Sequence, residues 1–413
     1  MTARATRFPC VLWALLGLAN CAQPLDGPDA AIFDSGDAVD AGAPDASIPD
    51  SGEAADAGAP DAGAPDAGAP DAGAPDAGAP DAGPVTATVF PRVGAATDSI
   101  FTPSGPGVIL MGGGSDVDAA FVWMRTNLSS SVGTRMGDVV VLRATGANGY
   151  TSYIYGLAQF NSVQTVLLPS PSTQADLLLA ASIVDRAEAV FFAGGDQSHY
   201  TAWAGSPLIA AVQRVYARGG VVGGTSAGLA ILGQFIYDAR VGSATSVEAL
   251  ANPYSGLLTF TRDELAFPSL AGLITDTHFR NRDRFGRLAV FMARQIADGA
   301  VAGAMPKVLG VGIDEATAIV VDSSGRGTLL RQGASTGSAY FLFGGTASQV
   351  TVGQPLIYPS ILVTRIDATN QHYDFANRCG TGPAYVVSVD ATKADPFGGV
   401  NPYAASGVAT SCP

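Results

Sequence analysis

Gly220-Val221-Val222-Gly223-Gly224-Thr225-Ser226-Ala227-Gly228-Leu229 is the stretch on which the reading of the fold turns. Its apolar start reads as a buried strand, predicted over 220–223. Gly224-Thr225-Ser226-Ala227-Gly228 is a G-x-S-x-G motif. Leu229, Ile231, Leu232 and Phe235 then continue as an apolar helical pattern. Strand, sharp turn and helix are the context of a nucleophile elbow, in which the serine projects from the turn at a helix N-terminus. Ser226 is therefore the candidate nucleophile. The N–H of Ala227 is a candidate donor to an oxyanion formed in front of it.

Outward from this stretch, short apolar runs alternate with amphipathic segments. Strands are predicted over 108–111, 138–143, 163–168, 189–193, 270–275, 308–313 and 318–321. Helices are predicted over 175–186 and 208–218. This alternation points to an α/β fold, a mostly parallel sheet with helices on both faces. From about Val320 the chain becomes rich in Gly, Ser and Thr, which predicts a β-rich C-terminal extension.

A serine needs a base, and the chain has three histidines. His278 lies in Asp276-Thr277-His278-Phe279-Arg280-Asn281-Arg282-Asp283-Arg284-Phe285-Gly286-Arg287. It follows a predicted strand, at the edge where α/β sheets place ligands. A helix beginning near Arg282 puts Arg284 and Arg287 on one face, and so dense an arginine cluster suits carboxylate binding. Gly112-Gly113-Gly114 after the first strand reads either as an anion-binding turn or as a plain connection. No His, Cys or carboxylate cluster has metal-ligand spacing, so neither a metal nor another cofactor is implied.

Together, Phe191-Phe192-Ala193-Gly194-Gly195-Asp196-Gln197, the elbow, Asp276-x-His278-Phe279-x-x-Arg282-x-Arg284-x-x-Arg287 and Gly312-Ile313-Asp314-Glu315 resemble the cyanophycinases. These belong to a serine peptidase family that includes aspartyl dipeptidases and has a fold like the class I glutamine amidotransferases. The resemblance runs from about Gly107 to Val321. It implies Ser226 as nucleophile, His278 as general base, and Gly195 or Asp196 as second oxyanion donor. Gln197, Asp276, Arg282, Arg284 and Arg287 would line the substrate pocket. The family carries an acid between serine and histidine, for which Glu248 is the choice, with Asp238 and Glu315 as rivals. Thr277 stands where cyanophycinases usually have Gln, which bears on the substrate more than on the hydrolysis. The implied activity is serine-type hydrolysis of aspartyl peptide bonds, in a cyanophycin-like poly-Asp-Arg polymer or in aspartyl dipeptides. Two other classes remain: an esterase of the α/β-hydrolase type with His372 as base, and a non-catalytic binding module on the same fold.

The N-terminus predicts export. Arg4 and Arg7 precede an apolar run too short to span a bilayer. Leu18-Ala19-Asn20-Cys21 then resembles a lipobox, so residues 1–20 read as a signal peptide and Cys21 as the lipidation site. Ala22 after it favours the bacterial outer membrane. The chain has 36 acids and 22 bases. Fourteen of the acids and no base lie in residues 26–84, where the pentad Asp-Ala-Gly-Ala-Pro repeats. Without large apolar residues, and with regular Pro and Gly, residues 21–84 read as a disordered acidic tether. Residues 85–413 keep 22 acids against 20 bases, a balance that argues against nucleic-acid binding. They divide into a peptidase domain, 85–330, and a tail, 331–413, which a Cys379–Cys412 disulfide would close in an oxidising compartment. Whether the chain forms a homodimer is left open by the sequence.

Overall fold

The computed structural model describes residues 83–131, 133–301, 303 and 307–412. The predicted signal peptide, Cys21 and nearly all of the predicted tether lie outside the described residues.

Five strands form a parallel centre: Ser162–Leu167, Asp138–Arg143, Ala189–Phe192, Val221–Thr225 and Gly107–Met111, in that spatial order. Most are short, largely apolar runs buried along their length, as parallel strands must be when helices cover them, while Ser162–Leu167 carries Ser162, Gln164 and Thr165 and leaves Gln164 and Leu167 half-buried. Alternate side chains divide between two cores. Val190 and Phe192 join Val184, Leu208 and Val212 from the helices Gln174–Val184 and Pro207–Ala217. Ala189 and Phe191 face Phe121, Met124 and Ile154 from Asp118–Leu128 and Thr151–Leu157. The predicted helices are present, each starting one residue earlier and ending one or two residues earlier than expected. Thr173 and Ser206 cap them by accepting the N–H groups of Asp176 and Ile209.

The parallel centre is one part of a larger design. Thr317–Val321 adds antiparallel to Gly107–Met111, with Ala318 opposite Met111. Val308–Ile313, only four residues earlier, lies in a second sheet. There it pairs in parallel with Leu273–Asp276 and antiparallel with Ala339–Gly344. The chain changes sheets in the tight turn Asp314-Glu315-Ala316, where Ala316 takes φ +52°. The sequence reading placed all these strands in one sheet, because an apolar run does not say which neighbour it pairs with. A third core lies on this second sheet, under the helix Phe285–Ala297, which buries Leu288, Phe291 and Met292. Gly310 is needed there, since a Cβ would sit 2.6 Å from Met292 Sδ.

The tail is β-rich, as expected, but it does not stand apart. Ile357–Ile366 and Pro383–Asp390 extend the second sheet, while His372–Asp374 and Cys379–Gly380 extend the first. Cys379 and Cys412 are joined by a disulfide. Among the described residues no helix is long and apolar enough to cross a membrane.

Candidate active site

Several loops that follow strand ends meet at one place. Ser226 follows Val221–Thr225, His278 follows Leu273–Asp276, Glu315 follows Val308–Ile313, and Gly195 follows Ala189–Phe192. Ligands gather at such carboxyl ends in α/β folds, and here two sheets contribute.

The elbow is tight and strained. Ser226 holds φ +51°, ψ −119°, a region that costs a non-glycine residue roughly 1–3 kcal/mol. Gly224 and Gly228 allow the turn, because a Cβ on either would lie 2.3 or 2.2 Å from a backbone oxygen. Ser226 Oγ then meets His278 Nε2 at 2.8 Å. His278 Nδ1 meets Glu315 Oε1 at 2.6 Å. Hydroxyl, imidazole and carboxylate form one chain, able to draw the serine proton onto Nε2 while the carboxylate holds the Nδ1 proton.

The acid in this chain is Glu315, and the preference for Glu248 is corrected. Glu248 caps the helix Ser246–Ala251, its carboxylate accepting the N–H and hydroxyl of Thr245 in a capping box. That use was legible in Thr245-Ser246-Val247-Glu248. Asp238 is spent on Thr259, Thr261 and Arg240. Glu315 comes after the histidine in sequence, so an order-based assignment passes over it.

His278 is 7% exposed. Burial holds its pKa below the ordinary value, and the charges of Arg282 and Arg284 push the same way, against the pull of Glu315. Gly113 explains how the ring fits. Its φ is +96°, and a Cβ there would lie 2.5 Å from the imidazole. The triple glycine therefore serves as a floor for the imidazole, a third role beside the two the sequence suggested.

A cleft of about 260 Å³ opens beside Ser226. Gly195, Asp196, Gln197 and Ala227 line one side, Asp276, Arg282, Arg284 and Arg287 the other. Gly194 packs close to Ser226, its added Cβ being 3.5 Å from Ser226 Cβ, and Gly195 has φ +148°. The Asp196 carboxylate caps its own helix by accepting the Ser198 N–H at 2.8 Å. Gln197 Nε2 reaches the Tyr237 carbonyl at 3.5 Å.

The arginines differ from one another. The helix starts at Phe285 rather than near Arg282, because Asp283, at φ +48°, breaks the chain before it. Arg287 is fully engaged: Nε and Nη2 fork onto Asp276 at 2.7 and 2.6 Å, and Nη1 donates to Ser243 and the Ala244 carbonyl. It builds the pocket wall and has no fork left for a substrate. Arg284 donates through Nη1 to Thr277 Oγ1 and the Thr277 carbonyl. Burial pushes its pKa down to about 10, with Asp276 opposing. The Arg282 guanidinium has no hydrogen-bond or ion-pair partner among the described residues and is exposed. The carboxylate-binding potential therefore rests on Arg282 and the free edge of Arg284.

His372 lies in a strand of the first sheet, near Thr381, and His199 lies in the helix Gln197–Thr201. Neither bonds to Ser226. Among the described residues, no three His, Cys, Asp or Glu side chains are grouped for a metal.

No family model matches the chain. It is 31% identical over 155 residues to the cyanophycinase of Synechococcus elongatus, a match covering 37% of this chain and 42% of that protein. It is 30% identical over 154 residues to the cyanophycinase of Geminocystis herdmanii, covering 35% and 49%. The chain thus spans less than half the length of the curated relatives it matches. A solved peptidase from an acI-B1 Actinobacterium superposes with a TM-score of 0.37 at 14% identity, over 65% of this chain and 96% of that one. By sequence, the chain is similar over part of its length to cyanophycinases, the family that its motifs resemble.

Proposed function

We propose that the protein is a serine-type peptidase that hydrolyses aspartyl peptide bonds through an acyl-enzyme. The observation that carries this reading is the hydrogen-bonded chain Ser226–His278–Glu315 at the floor of a cleft bearing an unpaired arginine. Ser226 Oγ attacks the scissile carbonyl as His278 Nε2 takes its proton. Glu315 keeps the Nδ1 proton in place and stabilises the imidazolium. The N–H groups of Ala227 and of Gly195 or Asp196 receive the developing oxyanion, each such donor lowering the barrier by about 2.7–4 kcal/mol. His278 then protonates the leaving amine, and water, activated by the same base, releases the acyl group.

The substrate follows from the charges that remain free. Arg282 and Arg284 face the cleft and suit a carboxylate. The relatives' name points to cyanophycin-like poly-Asp-Arg or to smaller aspartyl peptides. From the leader alone we infer export and a lipid anchor at Cys21. A Cys21→Ser variant should then lose lipid labelling and leave the membrane fraction. The function itself is tested by incubating the purified protein with cyanophycin and with α- and β-aspartyl dipeptides, read by mass spectrometry. Products are expected from at least one of these and none from Ser226→Ala. No product from any of them, with no labelling of Ser226 by a fluorophosphonate, would sink the proposal.

A further inference from the structure

Glu315 is less enclosed than His278, its side chain 32% exposed against 9%. An exposed carboxylate bonded through one oxygen is free to swing about its last torsion. Its second oxygen is held. Asn281 Nδ2 donates to Glu315 Oε2 at 3.1 Å. A carboxylate only accepts, so the amide must present its NH₂ here. No other donor reaches that oxygen among the described residues. Asn281 lies three residues beyond His278, in a loop closed by the Arg282 N–H on the His278 carbonyl at 3.0 Å. The same loop is tied to the acid's own turn, where the Arg280 N–H donates to Asp314 Oδ1 at 2.9 Å. One loop thus grips both oxygens of Glu315, with His278 on one and Asn281 on the other. Gly114 closes a further side, an added Cβ lying 3.0 Å from Glu315 Cβ.

We propose that Asn281 is a positioning residue, whose amide fixes the Glu315 carboxylate against the His278 imidazole so that Nδ1 keeps its proton and Nε2 stays open to Ser226. This rests on the hydrolase reading for its effect on rate, but not for its effect on the imidazole. The charged groups facing His278 are Glu315 from the turn between the sheets and Arg282 and Arg284 from its own loop. Ser226 faces it from the elbow. Asn281 adds no charge to this set, so what it controls is geometry.

Two variants test the idea, both of an exposed side chain. Asn281→Ala should lower kcat about five- to tenfold with KM nearly unchanged, the scale of one charge-assisted hydrogen bond. Asn281→Asp, nearly isosteric, sets a second carboxylate beside Glu315. It should ease protonation of His278 and move the acid limb of kcat/KM up by about half a unit to one unit. A ¹⁵N titration of the imidazoles reads the same shift without turnover, with the His278 signal assigned by its loss in His278→Gln. If both variants keep kcat within about twofold and leave the His278 titration unmoved, while Ser226→Ala abolishes turnover, the positioning role is overturned and the hydrolase stands. If the wild type turns over nothing but the His278 titration moves down in Asn281→Ala, as a loosened Glu315 partner requires, the hydrolase reading fails and the positioning role stands.

Discussion

Ser226 and His278 are anchored to consecutive carbonyls of one strand end. The Ser226 N–H donates to the Met111 carbonyl at 3.1 Å, and the His278 N–H donates to the Gly112 carbonyl at 2.7 Å. Fifty-two residues separate the two in sequence. They arrive from different sheets, and both hold positive φ, +51° and +46°. Two strained residues bonded to one rigid edge leave little freedom in the 2.8 Å contact between Oγ and Nε2. The site is preorganised by the end of Gly107–Met111, a strand that contributes no side chain to the proton chain.

Removing the nucleophile or the base should silence the protein. Ser226→Ala and His278→Ala are each expected to lose more than about a thousandfold in kcat, since such residues act as a unit. Circular dichroism should remain that of the wild type. A loss below about tenfold in either variant would mean that other groups carry the chemistry.

Glu315 and Glu248 make a paired test. Glu315→Gln keeps the shape and removes the charge that stabilises the imidazolium, so kcat should fall by about a hundredfold or more. Glu248→Gln should leave kcat alone and cost under about 1 kcal/mol, because it loosens an exposed capping box. The reverse pattern in steady-state kinetics and denaturant melts would restore Glu248 as the acid.

Gly113→Ala should separate activity from stability. The new methyl would occupy the place of the imidazole ring, with contacts of 2.5 Å, at a backbone angle that disfavours alanine. His278 must move to accommodate it. We expect kcat to drop at least about tenfold, as a misplacement of about an ångström does. Fluorophosphonate labelling of Ser226 should slow in step. Labelling at the wild-type rate would show that the ring does not depend on this glycine.

Two buried acids set a pH dependence of stability. Burial pushes Glu264 up to about 8 and Glu188 up to about 7. Both carboxylate oxygens of Glu264 lack a hydrogen-bond partner among the described residues. A folded-state pKa above the unfolded one means that the folded protein binds more protons between the two values. The stability these groups contribute is therefore full below about pH 4.5 and is lost as the pH rises towards 7–8. Glu264→Gln should flatten the decline of the melting temperature between about pH 5 and 8. His278 has the opposite sign, its pKa being lowered. It stays an unprotonated base to lower pH than a free imidazole, so the acid limb of kcat/KM should lie below about 6.5. Parallel melting curves for wild type and Glu264→Gln would remove Glu264 from this account.

Local chemistry was legible in the chain because it depends on neighbours in sequence. The apolar runs named the central strands to within a few residues. Gly224 and Gly228 around Ser226 named the elbow, since only glycine admits a backbone oxygen at 2.2–2.3 Å. The motif around His278 named the base, and the Thr245–Glu248 spacing already described a helix cap. What the sequence by itself could not decide was every relationship made across space. The acid was set by a turn in which the chain leaves one sheet for another, and no periodicity marks which sheet a strand joins. Arg287 and Arg282 look alike in the motif, yet one is locked onto Asp276 and the other has no side-chain partner among the described residues, a difference fixed by the fold around each guanidinium. Asn281 and Gly113 gain their places only because loops distant in sequence close on the same carboxylate and the same ring. Residue types and spacings determined which groups were available, and tertiary packing decided which of them meet, because a hydrogen bond formed within about 3 Å depends on where the folded backbone carries its partners.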